Sequence, residues 1–92
     1  MALDKYFTGV QHIGIPANNL DETIKFYKSL GFTEAGLFNN QGNRCAFMKY
    51  NNLMIETWEG DPCANADGAI NHFAVNCTDA DAAFKEAKKD GY

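Results

Sequence analysis

The chain has 92 residues, 46% of them hydrophobic and 22% charged, and a formal net charge of −4. That length allows one modest core and no second one, and seven Phe, four Tyr and one Trp exclude a disordered chain. Twelve acidic residues against eight basic ones, with no basic run, argue against nucleic acid and anionic membrane as partners.

Met1 to Phe7 carries an early acid, Asp4, and no long apolar stretch. Neither a secretory signal nor a membrane span is expected there or further on. The first predicted strand is Val10 to Ile15, a short β-branched run ended by Pro16. A helix over residues 19–30 follows. Asn18 or Asn19 serves as its N-cap, and Asp21 and Glu22 complement the positive end of its dipole. Leu20, Ile24, Tyr27 and Leu30 form one apolar stripe. Gly31 stands where a left-handed C′ residue is wanted.

Three strands are predicted next. Phe32 to Phe38 leads into the turn sequence Asn39-Asn40-Gln41-Gly42-Asn43. Arg44 to Tyr50 is joined by Asn51-Asn52, a tight hairpin, to Leu53 to Trp58. Residues 59–68 contain Gly60, Pro62 and Gly68 and read as a linker. A strand over 69–76 and a helix over 79–89 complete the order. That helix has Thr78 with Asp81 as a capping box, a stripe of Ala80, Phe84 and Ala87, and Gly91 as its stop.

The last two elements repeat the first two at a constant offset of 60. Val10-Gln11-His12-Ile13-Gly14-Ile15 aligns without gaps on Ile70-Asn71-His72-Phe73-Ala74-Val75. Asp21 then falls on Asp81, Ile24 on Phe84 and Gly31 on Gly91. Successive side chains of a strand point to opposite faces. If Ile13 and Ile15 face the helix, His12 faces away from it, and His72 does the same in the second copy. If Leu53 and Ile55 lie under the helix, Glu56 shares the face of His12. Two imidazoles and a carboxylate on one face suit a divalent metal. Taken singly, a histidine at a strand end is more often a surface or hydrogen-bonded residue, and a terminal Glu is usually solvated. The repetition of His at one strand position is what favours ligation. Met54 and Trp58 line the same face, where a pocket wall and ordinary packing read alike. Cys45, Cys63 and Cys77 are odd in number and lack a C-x-x-C spacing, so they read as incidental thiols of a reducing cytoplasm.

The stretch from Val10 to Ile15, then Leu20-Asp21-Glu22-Thr23-Ile24-Lys25-Phe26-Tyr27 and Leu30-Gly31-Phe32, resembles the opening of a vicinal oxygen chelate module. Met54-Ile55-Glu56-Thr57 resembles that module's fourth strand, and Asn71-His72-Phe73-Ala74-Val75 the start of a second module. The resemblance is to the superfamily of glyoxalases, bleomycin-resistance proteins and extradiol dioxygenases, most closely to glyoxalase I-like proteins. It implies an α+β fold, with a βαβββ module over 8–58, a linker over 59–68, and the β-α start of a second, truncated module over 69–92. It also implies His12, Glu56 and His72 as metal ligands, with Glu56 catalytic as well. The metal would be Zn or Ni, with Mn, Co or Fe as alternatives. The family's last ligand would fall sixty residues after Glu56, beyond Tyr92, so a truncated chain, or one completed as a homodimer, is expected. The implied reaction converts a thiol hemithioacetal of a 2-oxoaldehyde by proton transfer through a metal-stabilised enediolate. The alternatives are an extradiol dioxygenase and a drug-binding or antibiotic-resistance protein of the bleomycin or fosfomycin type.

Overall fold

The computed structural model describes residues 2–61, 63, 64, 68 and 72–92. After a short 3-10 turn at Leu3–Tyr6, the elements are β1 (Ile13–Pro16), α1 (Leu20–Ser29), β2 (Thr33–Asn40), β3 (Asn43–Tyr50), β4 (Leu53–Trp58) and α2 (Ala80–Lys89). The four strands form one sheet in the order β1-β4-β3-β2. Strands β2, β3 and β4 form an antiparallel meander, and β1 joins β4 in parallel. A parallel neighbour needs a crossover. Helix α1 leaves β1 at one edge of the sheet and delivers the chain to β2 at the other.

Local sequence sets the helix ends. The Asn19 side chain accepts a hydrogen bond from the Glu22 backbone N–H at 3.1 Å, which satisfies one of the unpaired donors of the first turn. At the other end Gly31 adopts φ +98°. Its N–H reaches the Lys28 carbonyl at 3.0 Å, and the Phe32 N–H reaches the Tyr27 carbonyl at 3.0 Å. These two bonds make a Schellman motif. The Tyr27 and Phe32 rings, 5.1 Å apart, supply its hydrophobic contact. The Gln41-Gly42 turn between β2 and β3 has positive φ at both residues, 54° and 90°, as a type I′ hairpin requires.

The core lies between α1 and one face of the sheet. Leu20, Ile24 and Tyr27 descend from the helix onto Ala46, Met48 and Ile55, with Ala17 and Phe32 at the margins. Thr57 is buried on the same face. Arg44 binds the helix start to the sheet. Its guanidinium pairs with Asp21 of α1 at 2.9 Å and with Glu59, just after β4, at 3.1 Å. The Arg44 guanidinium holds both carboxyls below the usual carboxylate range.

The second unit repeats the first in its helix. Helix α2 starts and stops at the same offset of 60 from α1, and Gly91 adopts φ +90° with Schellman bonds from Gly91 N–H to Lys88 and from Tyr92 N–H to Ala87. Its N-cap is Asp79, whose carboxylate accepts from the Ala82 N–H at 3.0 Å. The expected Thr78 lies one residue too early to reach the first-turn donors. Two strands also differ from expectation. Ladder pairing of β1 begins at Ile13, opposite Ile55, rather than at Val10. Of the strand expected over 69–76, residues 72–76 carry no strand pairing, since no described strand supplies them a ladder, and 69–71 lie outside the described residues. Among the described residues, no helix is long and apolar enough to cross a membrane.

Candidate metal centre

The sheet register decides which side chains meet on the face away from α1. Gly14 pairs with Glu56 across the β1–β4 ladder, Phe47 with Glu56 and Cys45 with Trp58 across the β3–β4 ladder. Directly paired residues project to one side. Because Ile55 and Thr57 are fully buried against the helix layer, Glu56 and Trp58 must point the other way. His12 precedes β1 by one residue and reaches the same face, as its spacing predicts. Its Nε2 lies 3.9 Å from Glu56 Oε1, too far for a direct hydrogen bond. The other ring nitrogen, Nδ1, is hydrogen-bonded by the Gln11 side chain. Phe47 stands edge-on to the His12 ring at 5.7 Å. Both side chains of the pair are about one-third exposed, 37% for His12 and 29% for Glu56.

Glu56 opens onto a depression of about 410 Å³ whose walls include Asn43, Cys45, Trp58 and Asp61. From sequence Cys45 reads as incidental, yet it lines the same depression as the acid. Burial, then the Glu56 charge, then a side-chain hydrogen bond to Glu56 push its thiol up. Cys45 and Glu56 thus share one wall of the depression, and the nearby carboxylate disfavours the thiolate. Strand parity could have found it, because Cys45 is two residues from Phe47, the cross-strand partner of Glu56.

His72 is exposed and is not brought into a three-donor cluster with the other two. Among the described residues, no three His, Cys, Asp or Glu side chains are grouped to hold a metal ion. The donor pair that is present does suit one. A neutral nitrogen and a carboxylate oxygen are typical ligands of borderline divalent ions, at about 2.0–2.2 Å each. A gap of 3.9 Å is short enough for a single ion to touch both donors.

The model of the Glyoxalase/Bleomycin resistance protein/Dioxygenase superfamily matches residues 11–92. The chain belongs to this superfamily. Among solved structures, the crystal structure of SMU.1112c superposes with a TM-score of 0.66 over 91% of this chain and 75% of that one, at 18% identity. That is a likeness of fold. No curated protein matches. Superfamily membership gives the open sheet face its context, because members of this superfamily often bind divalent metals.

Proposed function

We propose that the chain acts as a metal-dependent glyoxalase I-like lyase on the thiol hemithioacetal of a 2-oxoaldehyde. The observation that carries this reading is the approach of His12 to Glu56, 3.9 Å apart on the face away from the helix. His12 and Glu56 would hold the ion. His72 joins them on the strength of its repeat position alone. Zinc or nickel fits the nitrogen and oxygen donors best, with manganese, cobalt or iron as alternatives. When bound, a divalent ion supplies Lewis-acid stabilisation of the negative charge that develops on a substrate oxygen.

The chain's own residues do the rest. Glu56 is the carboxylate that approaches His12, at 3.9 Å, so it is the group placed to take a proton from one substrate carbon and return it to its neighbour. Cys45 stands beside that carboxylate on the wall of the same depression. Phe47 packs against the imidazole edge and fixes the ring plane.

The test is calorimetric titration of zinc and nickel into the parent chain and into His12→Ala, Glu56→Gln and His72→Ala, with turnover of the methylglyoxal–glutathione hemithioacetal measured alongside. Each variant should bind at least about tenfold more weakly while keeping its fold, because even outer-shell changes at metal sites cost that much. Parent-like affinity in all three variants would remove the site assignment.

A further inference from the structure

Trp58 is the only tryptophan of the chain, and three features fix it beside Glu56. Gly14, the β1 partner of Glu56, lacks the Cβ that would otherwise lie 3.1 and 3.3 Å from two carbons of the Trp58 ring and 3.9 Å from Glu56 Oε1. The indole therefore rests directly on the backbone of Gly14. Its N–H donates to Asp61 Oδ2 at 2.7 Å, so its one polar group is occupied. Its cross-strand partner is Cys45, and together with Glu56 these residues line one depression. On the far side of Glu56 stands Phe47, edge-on to Phe38 at 5.9 Å. The carboxylate thus emerges between aromatic surfaces. A tryptophan whose N–H is spent offers a ligand only its ring, and rings favour offset or edge-on aromatic partners.

We infer that Trp58 is a specificity-determining residue that selects substrates carrying an aryl group next to their vicinal oxygens, over their methyl counterparts. This deepens the proposed function and rests on it for the identity of the reaction. The subsite itself rests on Gly14, Trp58 and Asp61. The oxygens of such a ligand would lie toward Glu56 and its ring against the indole. Gly14 keeps the indole low enough to leave that space open.

The probes are 2-hydroxyacetophenone and hydroxyacetone, neutral and stable ketols that differ only in phenyl against methyl. Each is titrated into the full chain while the single indole N–H resonance is followed by NMR, first with chelator and then with zinc. The aryl ketol should shift that resonance saturably and bind about tenfold more tightly than the methyl ketol. Trp58→Ala should abolish the preference, now read by calorimetry, and Trp58→Phe should keep most of it. Gly14→Ala changes no residue that touches the ligand. It should reduce the preference several-fold, with an unchanged circular dichroism spectrum. Equal affinity for the two ketols, or an aryl preference that survives in both Trp58→Ala and Gly14→Ala, overturns the inference. The two proposals separate cleanly. A preference that holds with chelator, in a chain whose His12 and Glu56 variants bind metal like the parent, sustains the subsite and removes the lyase reading.

Discussion

Helices α1 and α2 are ten residues each and are capped in the same way, yet only one of them is packed. Leu20, Ile24 and Tyr27 of α1 are all buried, whereas Phe84, the counterpart of Ile24, is 65% exposed and no residue of α2 is buried. Where a helix begins and ends is thus set by a few local hydrogen bonds, from Asn19 or Asp79 at one end and Gly31 or Gly91 at the other. Whether its stripe contributes to stability depends on a sheet placed under it. In isolation a ten-residue helix is marginal. The first unit meets that requirement through Ala46 and Met48 of β3 and Ile55 of β4, and the described part of the second unit has no equivalent.

The largest expected effect tests this contrast directly. Leu20→Ala should destabilise the chain by about 3 kcal/mol, the usual scale for emptying a buried leucine site, as measured by urea denaturation. Phe84→Ala should change the same curve little. Equal losses would show that α2 packs in solution as α1 does. A smaller effect sharpens the comparison at the helix ends. Gly31→Ala should cost about 1–2 kcal/mol, because an alanine is strained at positive φ and its Cβ would also meet the Tyr50 ring at 3.3 Å. A Cβ at Gly91 meets nothing within 4 Å. Gly91→Ala should therefore speed amide exchange in α2 alone and leave the global transition in place.

The smallest effect concerns charge. Asp21 and Glu59 have carboxyls lowered by Arg44, first through its side-chain hydrogen bonds. A group with a depressed folded pKa stabilises the fold above its unfolded value and loses that contribution as pH falls through the folded value. Stability should therefore decline as the medium is acidified below about pH 4. Arg44→Gln should flatten that decline, and added salt should shrink the difference, since Asp21 is well exposed. Parallel pH curves for parent and variant would show that the Arg44 cluster contributes nothing measurable.

Much of this was legible in the sequence because its signals were local or periodic. The offset of 60 located both helices to within a residue, the Asn and Gly residues located both hairpins, and alternation along β1 and β4 put His12 and Glu56 on one face. The features that escaped depend on pairing across distance. Cys45 gains significance only from its diagonal relation to Glu56, and Arg44 only because β3 runs beneath the first turn of α1. Trp58 reads as ordinary packing until Gly14 is seen under its ring. The N-cap at Asp79 turned on a single residue of phase, which Thr78 and Asp79 satisfy equally well as residue types. The stretch over 69–76 has the composition of a strand, but composition cannot supply the neighbour that makes one.

The β2–β3 register contains a bulge between Glu34 and Gly36, so that Ala35 is an extra residue in its strand. In a ladder with a period of two, one added residue exchanges the two faces of everything beyond it. Here the exchange turns Leu37 to the side of Ala46 and Phe38 to the side of Cys45. The same insertion in β4 would send Glu56 inward and bring a buried neighbour out. The sheet has accommodated its one irregularity in the edge strand that carries neither member of the donor pair, and the strands that hold His12 and Glu56 in phase run without interruption.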